Sequence, residues 1–515
     1  MSPEGEVSSL FTFAERLLNP GCRAASSAAA PPPQCAPASP KRRERGHRGG
    51  GLGEDAFRMS MPPDLVPAVL DVVIVGAGQA GLALAARLKM MGVSSVLVLE
   101  KHARVGDNWR KRYSSLCLHD PRNACSMPFI PMPSTYPKFV PKDDVATYLE
   151  DYARLLELPV RLRTEVVKGG AVYDSVQGRW SIQVATTSAS RQESTIQSKH
   201  FVIASGLSGF PQIPRLPGSA SFEGTVLHSS QFTGLEVSKA AVILGSNTSA
   251  HDIAQALHSA GSAVTMIQRS PTTVISLDTH AGILMEAFNG GAEKAKADPD
   301  ANEPLAQEIL LDLEISLFHS NSYRRLASLS RNVVVPLCKA NDRSLHHALA
   351  QAGFKIDWGE DESGLLMKFL RRGGGYYMSV GCSELIAAGA IAVIGLGDGE
   401  EPRLCEGGVV VGGETVEADL VVLATGYTNM SEWVGLFCGA NVKAKVGHVG
   451  GYGSGTRDDP GPYIGELRNQ WGGTAQEGLW IFCGNFTQCR FYSRVTAVLI
   501  QIALLGGWDA ARGVV

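Results

Sequence analysis

From residue 69 onward, short apolar runs alternate with longer amphipathic stretches. Short apolar runs bounded by turn residues predict strands, and the stretches between them fit helices. Mixed charge over residues 289–371 predicts further helices, and Ala497–Leu505 predicts a buried helix. This alternation of strand and helix is typical of a parallel sheet in an α/β fold. The predicted strands are Asp71–Val75, Ser95–Leu99, Lys199–Ala204, Ala241–Leu244, Ala263–Gln268, Ala418–Ala424 and Leu479–Cys483.

Residues 1–66 differ in composition from the rest of the chain. Residues 24–53 contain AASSAAAPPPQ and then KRRERGHRGGG, which cannot form a core and predict a disordered extension. An organelle transit peptide within residues 1–60 is one interpretation, although three glutamates among the first fifteen residues oppose it. The alternatives are an extended N-terminus or a true start at Met59 or Met61. We expect a cytoplasmic location.

Composition excludes several classes of protein. Lys plus Arg number 47 and Asp plus Glu number 50 among 515 residues, and the resulting charge of −3 argues against a strongly basic nucleic-acid binder. No apolar run reaches the ~18 residues of a membrane-spanning helix. Ten cysteines without a CxxC pair predict free thiols in a reducing compartment. Glycine is enriched, at 57 residues, which predicts tight turns or backbone close to ligands.

A phosphate-binding turn follows the first predicted strand. The segment DVVIVGAGQAGLALAARL places a strand before the GxGxxG turn Gly76–Gly81 and a helix after it. In this context the first glycine permits the turn and the second lets a pyrophosphate approach the helix N-terminus, while the third packs helix against strand. Glu100 ends the next strand, where a carboxylate accepts both ribose hydroxyls of a dinucleotide without a 2′-phosphate.

A second turn has the same layout and the opposite charge. The segment AAVILGSNTSAHDIAQALHSAG keeps the first glycine as Gly245, but Asn247 and Ala250 take the second and third places. Arg269 stands 24 residues after Gly245, as Glu100 stands 24 residues after Gly76. An arginine there suits a 2′-phosphate and predicts NADPH, and a solvent-facing arginine at a strand end is the alternative. Two such sites predict FAD and NADPH, with hydride passing from NADPH to the flavin.

Four motifs in the chain resemble those of one family. Phe222–Phe232 fills all four defined positions of the FxGxxxHxxxW/F/Y signature, and Gly106–Arg110 resembles GxxWR. Leu423–Tyr427 resembles an ATG-type link between domains, with Ala204–Gly206 as its outward partner. The chain is therefore similar to class B flavin-dependent monooxygenases, the flavin-containing monooxygenase family. It is most similar to the plant auxin-forming branch and its fungal and bacterial relatives.

The resemblance implies two Rossmann-like dinucleotide-binding domains. An FAD-binding domain is expected over residues 67–207 and 428–515, the second part containing LWIFCGNFTQCRFYSR. An NADPH-binding domain with a helical insertion is expected between them, over residues 208–427.

The resemblance also implies roles for individual residues. His119 and His228 are the catalytic candidates, with His119 where animal-type members carry a catalytic Asn. His228 is expected to link the two domains rather than act as a general base. Trp109 could instead be only a core aromatic residue. The residues expected to bind FAD are Gly76, Ala77, Gly78, Gln79, Ala80, Gly81, Glu100, Lys101, Asn108, Trp109, Arg110, His119, Asp120, Val166, Ala204 and Gly206. Those expected at the NADPH site and the return link are Gly245, Ser246, Asn247, Thr248, Ser249, Arg269, Thr425 and Gly426.

The implied activity is oxygen insertion into a small organic substrate. NADPH would reduce FAD, and the reduced flavin would take O₂ to a C4a-hydroperoxide in a site that excludes water. Nucleophilic N or S compounds, indole-3-pyruvate, and ketones in a Baeyer–Villiger reaction stay open as substrates. Thr233 follows Phe232 where Baeyer–Villiger members carry Pro or Asp, which disfavours the ketones.

Two other functions stay open from the sequence. One is an NADPH-dependent flavin reductase or oxidase without oxygen transfer, and the other is a flavin-binding protein that has lost NADPH turnover. The expected partners are the substrate and O₂, without nucleic acid or metal, and a homo-oligomer is left open.

Overall fold

The computed structural model describes residues 68–236, 238–280 and 322–506, which all lie in one unit, Met59–Val515. The predicted extension over residues 1–66 and the first part of the predicted helical region, residues 289–321, lie outside the described residues.

Strands are numbered in chain order. They are β1 Leu70–Val75, β2 Val96–Leu99, β3 Val160–Arg161, β4 Thr164–Asp174, β5 Arg179–Thr186, β6 Glu193–Ile203, β7 Thr225–His228, β8 Ala240–Leu244, β9 Ala263–Gln268, β10 Thr273–Ser276, β11 Tyr376–Ser379, β12 Ile391–Gly395, β13 Arg403–Cys405, β14 Gly408–Val411, β15 Glu414–Glu417, β16 Leu420–Leu423 and β17 Leu479–Ile481.

Helices are numbered in the same way. They are α1 Gln79–Met90, α2 Asp107–Arg110, α3 Lys142–Leu155, α4 Thr248–Ser259, α5 Leu277–Thr279, α6 Tyr323–Leu329, α7 Val335–Asn341, α8 Arg343–Gln351, α9 Gly364–Arg372, α10 Cys382–Ala387, α11 Ser431–Cys438, α12 Ala440–Val446 and α13 Phe486–Leu504. A 3-10 helix spans Arg122–Cys125, and a π-helical turn, Ser330–Val334, joins α6 to α7.

The first sheet has β1 at its centre. β1 runs parallel to β2 on one side and to β6 on the other, and β3 and β17 extend the parallel part. The N-terminal half of β6 pairs antiparallel with β5, which pairs with β4. All but one of the β1 residues are buried. Its sequence LDVVIV is apolar nearly throughout because helices or loops cover both faces of the strand.

The second sheet repeats the central arrangement of the first. Its strand order is β12-β9-β8-β16-β7, all parallel, so β8 lies between β9 and β16 as β1 lies between β2 and β6. β13, β14 and β15 form a small antiparallel sheet, and β10 and β11 form a parallel pair.

Buried side chains fill both faces of each large sheet. One core cluster of the first sheet joins α1, α3 and α13, and the other joins β4–β6 to α11. In the second sheet, one cluster joins α4, α8 and α10, and the other is covered by β13–β15. Each sheet is therefore a separate layered core, with the strand C-terminal ends left free for ligands.

The predicted α/β fold class is confirmed. Six of the seven predicted strands lie within two residues of their predicted bounds, whereas β6 begins six residues earlier than predicted. The extra residues, ESTIQS, are polar except for Ile196 and pair with β5, so they do not form the continuous apolar run that predicts a strand. The helix predicted over Ala497–Leu505 is confirmed as the end of α13, but its predicted burial is wrong for most of the stretch, since only Ala497 and Ile500 are buried.

Candidate functional site

The first predicted nucleotide turn connects the C-terminal end of β1 to α1. Gly76 has a φ of +108°, and a Cβ there would lie 2.5 Å from the carbonyl oxygen of Ala204. A Cβ on Gly81 would lie 1.9 Å from the carbonyl oxygen of Gly76, so this glycine lets α1 pack against the turn. α1 has Gly78 as its N-cap, no side-chain cap and no acidic residue in its first turn. The turn is therefore a backbone cradle with N–H groups for an anion.

Glu100 faces this cradle from the end of β2. It is buried, and its Oε2 accepts a hydrogen bond from the Ala77 backbone N–H at 2.9 Å. Its Oε1 accepts from the His102 N–H at 2.9 Å, and the His102 Nδ1 lies 2.8 Å from the same oxygen. Burial opposes ionisation, but these contacts hold the pKa of Glu100 below its ordinary value. The carboxylate is thus ionised and fixed beside the turn.

Two of the residues in the GxxWR segment lie close to the first turn or to α13. The Asn108 amide nitrogen lies 3.6 Å from the position a Cβ on Gly78 would take. The Trp109 ring centroid lies 6.3 Å from that of Phe486 in the first turn of α13. The buried indole Nε1 of Trp109 has no hydrogen-bond partner among the described residues. A buried donor without an acceptor is costly, which fits a ligand at this place.

Gln79 and Ala80 complete the first turn. The Gln79 side chain donates to the carbonyl oxygen of Gly484 at 3.2 Å, and Ala80 is buried in the core of the first sheet. Asn485 and Gln488 then form a capping box at the start of α13. The starts of α1 and α13 thus lie at the same edge of the first sheet.

Three other residues predicted to bind FAD make different contacts. The Arg110 guanidinium forms ion pairs with Glu150 of α3 at 2.7 Å and with Asp107 at 3.1 Å. Lys101 is exposed, and Val166 is buried in β4. The charge of Arg110 is therefore compensated within the protein, and its FAD contact stays a prediction.

The second predicted turn matches the first in its backbone contacts. The Gly245 N–H donates to the Ile267 carbonyl at 2.9 Å, as Gly76 donates to Leu99 at 2.8 Å. Gly245 has a φ of +129°, and a Cβ there would lie 2.4 Å from the carbonyl oxygen of Ala424. Each turn thus packs against the end of a neighbouring strand, and each first glycine is sterically required.

Asn247 occupies the place of the second glycine without backbone strain. Its φ of −98° is open to any residue, and its exposed side chain does not cap α4. The Ser246 hydroxyl contacts the Thr272 hydroxyl at 2.9 Å, and the Thr248 hydroxyl donates to the Tyr376 carbonyl at 3.1 Å. Ser249 lies in the first turn of α4. These hydroxyls hold the turn in place, and the N-terminus of α4 keeps its backbone donors for an anion.

A cleft with a cavity volume of about 290 Å³ opens beside the second turn. Its lining includes Gly245, Ser246 and Asn247 of the turn, three arginines, Arg215, Arg269 and Arg372, and two acids, Glu400 and Glu401. Within the described chain, Arg215 and Arg269 form no ion pair, whereas Arg372 contacts Asp458 at 3.1 Å. Two uncompensated guanidinium groups at a nucleotide turn form a cationic subsite suited to a phosphate.

The predicted residues His119 and Asp120 follow α2 and contact elements of the second sheet. The His119 Nε2 lies 4.0 Å from the Asp252 Oδ1 of α4. The Asp120 Oδ1 lies 3.1 Å from the Nε2 of His280. The structure thus brings the two residues to the side of the second sheet where α4 lies.

His228 joins the family signature to the return link. Its Nδ1 accepts from the Ser230 N–H at 3.1 Å, so its Nε2 is the donor to the Gly426 carbonyl at 3.1 Å. Its ring also meets the edge of Tyr427, with centroids 5.4 Å apart. Burial lowers the pKa of His228. Both ring nitrogens are therefore engaged by the protein, as suits a structural link.

The two predicted links run side by side. The Gln212 N–H donates to the Gly426 carbonyl, and the Thr428 N–H donates to the Phe210 carbonyl, both at 2.9 Å. Ala204 and Gly206 lie just before these two hydrogen bonds on the outward segment, and Thr425 lies just before them on the return link. The Gly206 carbonyl accepts from the Trp433 indole at 3.1 Å.

Sequence reasoning missed two groups of residues in this region. Arg215 reaches the cleft from a loop with no local pattern that indicates a phosphate, and Arg372 reaches it from the end of α9, where the basic run Lys368–Arg372 is more typical of a solvated helix end than of an anion site. Tyr113 and Asp252 contact each other across 139 positions of the chain. The available signal for Asp252 was a charged residue near the start of the helix that follows a nucleotide turn.

Comparison with known proteins extends these observations. A family model described as pyridine nucleotide-disulphide oxidoreductase matches residues 73–282. An indole-3-pyruvate monooxygenase, YUCCA1 of Oryza sativa subsp. japonica, is 31% identical over 206 residues, which are 39% of this chain and 48% of that protein. The chain thus spans about half the length of that curated relative.

Solved structures match over a larger part of the chain. An oxidized steroid monooxygenase bound to NADP has a TM-score of 0.57 at 17% identity and covers 85% of each chain. A flavin monooxygenase from Stenotrophomonas maltophilia has a TM-score of 0.51 at 17% identity and covers 85% of this chain and 99% of its own. The predicted resemblance to class B flavin-dependent monooxygenases is confirmed. At this identity, the solved structures show the shared fold alone.

The described residues contain neither a membrane-spanning helix nor a metal-binding cluster. None of the helices in residues 68–236, 238–280 and 322–506 is long and apolar enough to cross a membrane. No group of three or more His, Cys, Asp or Glu in the same part of the chain could hold a metal ion.

Proposed function

We propose that the protein is an NADPH- and FAD-dependent monooxygenase that inserts one oxygen atom of O₂ into a small organic substrate. The observation that carries this proposal is the pair of matched turns, one beside the buried Glu100 and the other beside the uncompensated Arg269. A carboxylate and a guanidinium at equivalent places select different dinucleotides. The similarity to monooxygenases supports oxygen insertion as the reaction class.

The first sheet is proposed to hold FAD. Its turn offers the backbone of Gly76–Gly81 to the pyrophosphate, and Glu100 has lone pairs left for the ribose hydroxyls. Trp109 offers an indole N–H that the described protein does not use. The proposed FAD-binding domain comprises residues 67–207 and 428–515.

The second sheet is proposed to hold NADPH within residues 208–427. The N-terminus of α4 would take the pyrophosphate, and Arg269 would take the 2′-phosphate together with Arg215. The match to a pyridine nucleotide oxidoreductase and the NADP-bound steroid monooxygenase support this cofactor.

The chain's own residues bind, orient and exclude water. Bound flavin supplies electron transfer and O₂ activation, which no side chain can replace. His228 fixes the return link through Gly426 and thereby the orientation of the second turn relative to the signature. His119 is proposed to act beside the flavin as a positioned imidazole. His228 is buried and His119 is largely shielded, which would limit the access of water to the reacting centre.

The proposed substrate class is an α-keto acid of the indole-3-pyruvate kind. The name of the rice relative supports this choice, and Thr233 after the signature disfavours a Baeyer–Villiger ketone.

A substrate panel tests the proposed function. FAD-loaded protein is mixed with NADPH and air, and NADPH consumption and peroxide release are measured with an α-keto acid, an amine, a sulfide and a ketone. We expect one class to suppress peroxide release without slowing NADPH consumption. Peroxide equal to NADPH with every compound would instead indicate an oxidase, and no flavin bleaching by NADPH without oxygen would indicate a flavin-binding protein.

A further inference from the structure

The segment between α2 and His119 is attached to the second sheet at several points. The Ser114 N–H donates to the Thr233 carbonyl at 3.2 Å, directly after the last residue of the family signature. The ring of Phe232, that last residue, lies 6.3 Å from the ring of Tyr113. The signature therefore packs against the segment that carries His119.

Asp252 is the charged residue at the centre of this contact. It lies in α4 and is nine-tenths buried, and its Oδ2 accepts a hydrogen bond from the Tyr113 hydroxyl at 2.6 Å. Its Oδ1 is buried and has no hydrogen-bond partner among the described residues. The His119 Nε2 lies 4.0 Å from that oxygen. An unpaired buried carboxylate oxygen is costly, and His119 is positioned to satisfy it after a shift of about 1 Å.

We propose that Asp252 is a positioning residue for His119, a role that rests on the proposed function. A hydrogen bond from the His119 Nε2–H to Asp252 would fix the imidazole orientation and leave Nδ1 as the acceptor. An Asp that orients a His in this way acts through the tautomer and does not itself touch the reacting atoms.

The location of Asp252 also connects His119 to the second nucleotide turn. Asp252 follows the first residue of α4, Thr248, by one helical turn. The intervening His251 stacks on Tyr377 with ring centroids 3.8 Å apart, and its Nδ1 contacts the Asn247 carbonyl at 3.1 Å. A dinucleotide that orders the start of α4 would therefore also order Asp252 and, through it, His119.

Other titratable groups face Asp252 from several elements. Burial raises its pKa, and His119, Tyr113 and Arg112 act against that increase. Cys117 precedes His119, and α10 and β11 contribute a thiol and a phenol. Burial and the nearby Asp252 carboxylate in turn raise the pKa of Cys117, Tyr377 and Cys382.

A double-mutant cycle tests this role. Wild type, Asp252→Asn, His119→Asn and the double variant are loaded with FAD, and coupled turnover, the rate of NADPH consumption minus the rate of peroxide release, is measured with the substrate found in the panel. If Asp252 acts through His119, Asp252→Asn lowers coupled turnover by about 10- to 100-fold but changes the His119→Asn protein by less than about twofold. An equal fold-loss in both backgrounds would overturn the proposal.

A matched control and a second variant complete the design. His280→Gln removes the neighbouring contact to Asp120, and its effect should add to that of His119→Asn. Tyr113→Phe keeps the Asp252 carboxylate but removes the hydrogen bond that the Tyr113 hydroxyl donates to it. This variant replaces Asp252→Asn in the cycle if Asp252→Asn does not fold. Its effect should also disappear in the His119→Asn background, and persistence there would refute the role.

If the protein does not oxidise NADPH, the proposed function is refuted, but the His119–Asp252 contact is not. The same four proteins are then compared by thermal unfolding with FAD present. Shifts of the midpoint that are not additive support the His119–Asp252 contact, and additive shifts overturn it.

Discussion

Replacing Arg269 by Ala tests the assignment of the second dinucleotide. Arg269 lines the cleft beside the second turn and forms no ion pair with another described residue. A charge-assisted hydrogen bond to a phosphate is worth ~1.5–3 kcal/mol, or about 10- to 100-fold in affinity. Because Arg269 is exposed and Arg215 lines the same cleft, we expect the lower end, about tenfold.

The assay compares kcat/KM for NADPH and for NADH in the same preparation. Arg269→Ala should lower kcat/KM for NADPH about tenfold and leave that for NADH within about twofold. The double variant with Arg215→Ala should lose more, since both arginines line the same cleft. Arg343→Ala, at an exposed arginine outside the cleft lining, is the matched control and should change neither value.

The result that would refute this reasoning is an equal loss for both nucleotides. Such a loss would mean that Arg269 contacts a part common to NADPH and NADH, or only supports the fold. A reduced salt dependence of NADPH binding in the variant would further support a phosphate contact, because ionic screening weakens exposed charge pairs.

Two further predictions concern the second turn. Gly245→Ala should lower the free energy of unfolding by more than ~2 kcal/mol and abolish NADPH binding, because the new Cβ would lie 2.4 Å from the Ala424 carbonyl oxygen. The control is Gly261→Ala, at a position with positive φ but with no atom within 4 Å of the new Cβ. This control should lower the free energy of unfolding, measured with denaturant, by only about 1 kcal/mol. Burial lowers the pKa of His251 from 6.5 to about 4. Between these two pH values the unfolded chain therefore binds a proton that the folded chain does not. The free energy of unfolding should fall by up to roughly 3 kcal/mol as the pH is lowered from about 6.5 towards 4. His251→Gln should remove that part of the pH dependence, and an unchanged profile of unfolding free energy would contradict the assignment.

The parallel strands were predictable because they are continuous apolar runs, whereas the antiparallel strands were missed because they contain many polar residues. β1 and β8 are buried on both faces, so their sequences are continuous and unambiguous. The strands of the β4–β6 meander place polar residues on an exposed face, and their pairing with the neighbouring strands of the meander, rather than an apolar run, makes them strands.

The turns were predictable because their chemistry is local. Gly76 and Gly245 stand directly between a strand and a helix, and their positive φ values follow from the turns they make. Glu100 and Arg269 end the strands that follow, at a fixed distance along the chain.

The rest of the candidate site depends on contacts between distant segments. Tyr113 meets Asp252 through packing of the segment after α2 against α4, 139 positions further along the chain, and no local pattern encodes that contact. Arg215 reaches the cleft from a proline-rich loop for the same reason. Residue type alone could not distinguish these side chains from ordinary surface or core residues.

Incorporation of oxygen from ¹⁸O₂ distinguishes a monooxygenase from an oxidase. FAD-loaded protein is supplied with NADPH, ¹⁸O₂ and the compound that suppresses peroxide release, and the product is analysed by mass spectrometry. The account predicts one ¹⁸O atom per product molecule, with one NADPH consumed for each. Product without ¹⁸O, or NADPH consumption that yields only peroxide with every compound, would contradict it.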